Sequence, residues 1–191
     1  MLEHRTPFDS IRKEEDPGSA AISRELIVTP VRDKGLLLLQ SASLPALQAA
    51  LEQEIGLPLP PAQQASLHAP YALLWLTPAQ WLLELPAGEC DSIGAALSGR
   101  LASALAAITD FSDALVALEV GGAGLADVLM SGCSLDLRAD AFPPGRVART
   151  ALADVPAILW NPGGPGRIRC LIGERGFETH LFAWLKGTAT Q

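Results

Sequence analysis

The residue groups that could do chemistry are few. Gly122-Ala123-Gly124-Leu125-Ala126-Asp127 opens like a dinucleotide loop, in which glycines let the backbone approach a pyrophosphate at a helix N-terminus. The third glycine of that pattern is Asp127 here, so the run reads as a tight strand-to-helix turn. Asn161 to Gly166 is rich in glycine but lacks the Lys-Ser/Thr ending of a phosphate loop, and it reads as a connection between strands. Asp110 and Asp113 flank Phe111-Ser112. Paired carboxylates act as acid and base when burial drives their pKa values apart; capping and solvated-edge roles are commoner. Cys133 is expected to follow a helix C-terminus, where the carbonyl ends raise a thiol pKa, and to be buried and inert. His4, His68 and His180 stand apart, no Cys-x-x-Cys is present and no cluster has metal-ligand spacing. No Gly-x-Ser-x-Gly elbow offers a nucleophile.

Four arginines remain. Arg167 and Arg169 lie two apart on an expected strand and hence on one face. Arg146 and Arg149 lie on an expected neighbouring hairpin. Arginine pairs readily with carboxylates across interfaces. The group predicts a docking face for an acidic partner or an anionic-ligand site, with a solvated sheet face as the plain alternative.

The elements that must position these residues read as α+β. Leu26 to Val28 is a short apolar run, and Leu36 to Leu39 a strand. Ser43 caps a helix carrying Leu47, Leu51 and Ile55, which Gly56 ends. Tyr71–Leu76 and Gln80–Leu85 form a hairpin. A helix from about Glu89 carries Ile93, Leu97, Leu101, Leu105 and Ile108, and the strand Ala114–Val120 closes the series. This is the β-α-β-β-α-β order of a ferredoxin-like unit. The plan then repeats: a helix from about Ala123 to Met130 stopped by Gly132, a hairpin of Arg146–Leu152 and Pro156–Trp160, a strand Arg167–Ile172, and a helix Arg175–Lys186 with Phe177, Leu181 and Leu185 on one face. The expected fold is therefore two ferredoxin-like halves with antiparallel sheets, about 26–113 and 114–187, in one compact domain 26–191.

Residues 1–25 are polar and of mixed charge, with Pro17-Gly18 near their end. They predict a flexible or extended arm. Phe8 and Ile11 sit in it as sparse apolar anchors for a partner surface.

Hydrophobic residues make up 49% of the 191-residue chain, enough to build a core. The net charge of −7 argues against general nucleic-acid binding. It is uneven: residues 1–120 carry 7 basic and 15 acidic side chains, residues 121–191 carry 7 and 6, giving −8 and +1. No apolar run reaches the ~18–20 residues that span a bilayer. Cys90, Cys133 and Cys170 fit reduced thiols in a cytoplasm.

Five stretches taken in order, "LTPAQWLL" (76–83), "TDFSDALVALEV" (109–120), "LADVLMSGCSLDL" (125–137), "FPPGRVARTAL" (142–152) and "AWL" (183–185), resemble the gamma subunit of heterotetrameric sarcosine oxidase. The similarity covers roughly residues 70–187. Thr77 stands where that family usually has glycine, and Ser134 where it usually has proline, which leaves room for a related complex acting on another N-methyl amino acid. The resemblance implies a fold like the folate-binding domain of aminomethyltransferases and a cytoplasmic assembly with alpha, beta and delta subunits. That assembly demethylates sarcosine oxidatively to glycine, reduces oxygen to hydrogen peroxide and passes the one-carbon unit to tetrahydrofolate. FAD, FMN, NAD and folate sites are implied on the alpha and beta chains and zinc on delta, with no catalytic residue and no cofactor on this chain. The alternative is a free-standing folate-dependent one-carbon protein, which would set a carboxylate in a central pocket; Asp110 and Glu119 are its candidates.

Overall fold

The computed structural model describes residues 20–23, 26–163, 166–173 and 177–188. They divide into two compact units. An inserted unit comprises Asp33–Asp113 with Gly145–Ala148, and a flanking unit holds the chain up to Arg32, Ala114–Pro144 and the residues from Arg149 onward.

The strands, numbered along the chain, are β1 (Ala20–Ser23), β2 (Leu26–Pro30), β3 (Lys34–Ser41), β4 (Ala65–His68), β5 (Tyr71–Thr77), β6 (Gln80–Pro86), β7 (Ala106–Asp110), β8 (Leu115–Gly121), β9 (Val147–Leu152), β10 (Val155–Trp160) and β11 (Arg167–Gly173). The helices are α1 (Leu44–Ile55), α2 (Cys90–Arg100), α3 (Leu125–Gly132) and α4 (Glu178–Thr188).

In the inserted unit the five strands lie in the order β4-β5-β6-β3-β7. Every neighbouring pair is antiparallel. Pro45 sits in the first turn of α1, where its missing N–H costs nothing. Gly56 ends the helix at φ +68, and its N–H bonds the Glu52 carbonyl. One sheet face carries Leu37, Leu39, Leu73, Trp81, Leu83 and Leu85, packed with Leu47, Leu51, Ile55 and Leu97 of the two helices. The other face is also largely buried, through Leu36, Leu74 and Leu82, and includes one carboxylate, Glu84. Lys34 Nζ stands 3.9 Å from that carboxylate.

In the flanking unit six strands lie in the order β1-β2-β8-β11-β10-β9. Ala153 and Asp154, both at positive φ, make the two-residue turn between β9 and β10. Leu118, Val120, Val28, Ile168 and Leu159 are buried in the sheet, as are Leu125, Leu129, Leu181 and Leu185 on the helices. Trp184 of α4 lies so close to Gly132 that a Cβ there would meet the indole at 2.4 Å.

The two units share one plan. Read from the far edge, β9-β10-β11-β8-β2 matches β4-β5-β6-β3-β7, and α3 and α4 take the places of α1 and α2. Only the last strand differs in origin. The inserted unit closes its sheet with β7, which follows α2; the flanking unit borrows β2 from the beginning of the chain.

Several expectations are corrected. The helix expected to reach Ile108 ends at Arg100, with Leu101 capping it. The i, i+4 leucine spacing continues past the end, but Ala102 and Ala104 close tight turns onto Gly99 and Leu101. Leu105 is 83% exposed, and Ile108 pairs with Leu39 on β7. Strand 114–120 does not close the first half; β7 does, and β8 centres the second sheet. Residues 26–32 leave the half 26–113 for the same reason, because β2 pairs with β8. Within the expected arm, Ala20–Ser23 form a strand against β2. Gly132 is the last helical residue of α3, and Cys133 caps it in extended conformation. Phe177 precedes α4 and is exposed, so it does not share a helix face with the buried Leu181 and Leu185.

Candidate functional site

The polar face of the flanking sheet gathers the charged residues singled out in the sequence. Strand register sets a row across four strands: Thr29 on β2 faces Glu119 on β8, Glu119 faces Arg169 on β11, and Arg169 faces Trp160 on β10. One step along, Ile27, Gly121 and Arg167 form a second row on the same face. The period of two does this. Between the rows Val28, Val120 and Ile168 pair in register and are buried, so their neighbours must point the other way.

Glu119 is held by both arginines. Arg167 Nη1 donates to one carboxylate oxygen at 3.0 Å and Arg169 Nη2 to the other at 3.2 Å. The Arg169 side chain is only 14% exposed. Its guanidinium stands 5.0 Å from the Trp160 ring centroid, a cation–π placement. Arg167 is 61% exposed at the open end of the cluster.

The remaining predicted residues are dispersed. Arg149 sits exposed on the edge strand β9, with β10 between it and the Arg167–Arg169 strand. Arg146 belongs to the inserted unit, where it bonds the Gln63 side-chain carbonyl. Arg149 is therefore not on the strand beside Arg167 and Arg169, because the sheet order inserts β10. Phe8 and Ile11 lie outside the described residues. Asp110 is exposed, and its carboxylate accepts the Ser112 N–H at 2.8 Å as a turn cap. Glu119 is spent on its arginines.

Gly122 does begin a strand-to-helix turn, at φ +124, with its carbonyl accepting the Leu125 N–H. Asn161 braces the connection from β10 to β11, donating to the Phe142 carbonyl and accepting from the Gly163 N–H. Cys133 is half-buried, which corrects the expectation of a buried thiol. Cys170 is the fully enclosed one, pushed up to about 12 by burial and secondarily by Cys133. Burial also raises Cys90. Thiolate chemistry at pH 7 is thereby disfavoured at both. Among the described residues no group of three or more His, Cys, Asp or Glu side chains could hold a metal ion, and no helix is long and apolar enough to cross a membrane.

Sequence reasoning missed Thr29, Ile27 and Trp160. No local signal marks them: they reach Glu119 and the arginines only through the pairing of β2 with β8 and of β10 with β11.

Two ferredoxin-like units, one of them with a charged, cross-braced sheet face, define an α+β protein with antiparallel sheets. Aminomethyltransferase T of the Bartonella henselae glycine cleavage system shares the fold, with a TM-score of 0.62 and 15% identity over 87% of this chain and 46% of that one. The particular family follows from residues 40–191, which match the model of the sarcosine oxidase, gamma subunit family; the chain belongs to it. It is 35% identical to an Arthrobacter sarcosine oxidase subunit gamma over 79% of this chain and 71% of that one. For the Corynebacterium sp. U-96 subunit gamma the identity is 31% over 69% and 62%. A chain in the structure of heterotetrameric sarcosine oxidase from Corynebacterium sp. U-96 in complex with pyrrole 2-carboxylate superimposes with a TM-score of 0.78, at 27% identity, covering 90% of this chain and 87% of that one.

Proposed function

We propose that this chain is the gamma subunit of a heterotetrameric sarcosine oxidase and performs no reaction of its own. Its family membership together with its likeness to a chain of such a complex carries this reading. The partners are alpha, beta and delta subunits in the cytoplasm. They hold FAD, FMN, NAD, tetrahydrofolate and zinc, convert sarcosine to glycine and hydrogen peroxide, and form 5,10-methylenetetrahydrofolate. This chain contributes docking surface. The arm with Phe8 and Ile11, and the exposed edges carrying Arg146, Arg149 and Arg167, contact neighbouring subunits; Arg169 braces that surface from within. Loss of the carboxylates at Asp110 and Glu119 to capping and ion pairing supports scaffolding over a free-standing folate-dependent protein.

The test is co-purification of the tagged chain from its native source. Three further chains should accompany it in equal ratio, and the flavin spectrum and sarcosine-dependent peroxide should belong to the assembly. A lone chain that carried stoichiometric flavin would overturn the proposal. Assays with other N-methyl amino acids fix the substrate, where Thr77 and Ser134 mark departures from the usual family pattern.

A further inference from the structure

Among the described residues β7 ends the sheet of the inserted unit and pairs only with β3. The register is unbroken over five residue pairs, from Leu37 with Asp110 to Ser41 with Ala106. Two bonds fix which way its backbone groups point. The Ala42 N–H donates to the Leu105 carbonyl at 3.0 Å, and the Phe111 N–H donates to the Leu36 carbonyl at 2.7 Å. Bonded and non-bonded positions alternate along an antiparallel pair. Leu105, Ala107, Thr109 and Phe111 therefore turn their backbone groups to β3. Ala106, Ile108 and Asp110 turn theirs outward, a line of N–H and C=O groups along the edge.

Such an edge is a template for another strand, and folded proteins blunt it with charge, proline, bulges or covering segments. Two other edges here follow that rule. β9 carries the exposed Arg149. At the start of β4 the Ala65 N–H donates to the Gly145 carbonyl at 2.8 Å. β7 has no such protection: residues 106–109 are Ala-Ala-Ile-Thr, and Ala107 and Thr109 are exposed. The Asp110 carboxylate at the far end is bonded to the Ser112 N–H. Beside the start of β7 lies an open groove of about 610 Å³, whose lining includes Gln40, Thr77, Gln80, Leu105 and Ala107. Its described lining carries no charged side chain, and Leu105 is 83% exposed.

We infer that β7 accepts an extended, uncharged segment of another subunit as a sixth strand of this sheet. The inference rests on the subunit reading proposed above. Backbone bonds at Ala106, Ile108 and Asp110 set the register, and the groove takes apolar side chains against Leu105. Charge selects the occupant, because a charged side chain entering this groove would shed water without meeting an opposite charge.

Ala106→Pro is the probe. Proline is tolerated as the first residue of an edge strand, and at 106 it removes an outward N–H instead of one bonded to β3. Parent and variant chains with different tags, expressed together in the native source, compete for places in the complex. The variant's share should fall about tenfold, as expected for a lost hydrogen bond that leaves its partner carbonyl buried. Circular dichroism and the urea midpoint of the full chain should be unchanged. Hydrogen exchange of the parent needs no substitution. The Ala107 and Thr109 amides should be slow both in the free chain and in the complex. Those of Ala106, Ile108 and Asp110 should be fast in the free chain and slow in the complex. An equal share for the variant, or outward amides that stay fast in the complex, would overturn the inference and leave the subunit reading standing. Recovery of no complex at all would overturn both. Outward amides already slow in the free chain would assign the edge to this chain itself, and protection that rises with its concentration to a second copy; either overturns the inference.

Discussion

The inserted and flanking units are the same chain topology used for different ends. Each has five corresponding strands and two helices, and each packs one sheet face against its helices. On the opposite face they part. The inserted sheet carries Leu36, Leu74 and Leu82 there, all buried, with Glu84 as its single buried carboxylate. The flanking sheet carries Thr29, Glu119, Arg167 and Arg169 there. A strand supplies two faces from one period-two pattern, so a few alternate residues are enough to turn an apolar packing face into a charged one without touching the core. The units also differ in how the sheet is closed. β7 is local to its unit, whereas β2 is separated from β8 by the whole inserted unit.

That difference in closure should dominate the response to damage. Val28 is 1% exposed and pairs with Val120. Val28→Asp buries an unpaired charge, at a cost of about 3–5 kcal/mol. Hydrogen exchange should show lost protection in β8 and β11, with β3 and β6 retaining theirs. Equal loss in all four strands would show that the units unfold as one, and the contrast would not extend to stability.

Glycine substitutions sharpen the comparison on the helices. Gly132→Ala in the flanking unit drives a methyl into Trp184 and should destabilise by about 1–3 kcal/mol. Gly94→Ala in α2 of the inserted unit meets only the Leu37 methyls, at 3.7 Å. It should stabilise by about 0.8–1 kcal/mol through helix propensity. Thermal or urea midpoints must move in opposite directions for this to hold.

Glu119→Gln probes the charged face itself. It removes the charge opposite Arg169, whose side chain is only 14% exposed, and should cost about 1–2 kcal/mol in urea denaturation. The cost falls well short of a fully buried pair because Arg167 is open to solvent. A neutral result would show that the Glu119 charge adds nothing to the hold on Arg169.

Local patterning made much of the fold legible. Ser43, Pro45 and Gly56 bound α1 by backbone chemistry acting within a few residues. The β5–β6 hairpin follows from two apolar runs around Pro78-Ala79. The ferredoxin-like order was readable for the same reason, but its closing strand was not. Residues 106–110 continue the spacing of the preceding helix, and only pairing with β3 makes them a strand. β2 is a five-residue strand whose partner lies far along the chain, so nothing near it announces its place. The site behaves likewise. The Arg167–Arg169 face was evident from their spacing, while the Glu119 clamp and the Trp160 contact depend on register between distant segments.

The smallest expected effect lies in the loop of the flanking unit after α3, where an ion pair works without burial. Asp136 accepts both the backbone N–H and the guanidinium of Arg138. The Arg138 side chain, followed by its N–H, holds that carboxyl at about 2, below its usual 3.8. A depressed carboxylate pKa means that the unfolded chain binds the proton more readily. The stabilisation is thus fully present above pH 3.8 and declines as pH falls through about 2. Both side chains are open to solvent, at 40% and 66% exposure, so screening confines the effect to the loop. An NMR titration should show the Asp136 carboxyl carbon and the Arg138 amide moving together near pH 2. Asp136→Asn should abolish that transition and leave the global urea midpoint at pH 7 within error. An Asp136 midpoint left unchanged by Arg138→Gln would show that the guanidinium fork contributes nothing in solution.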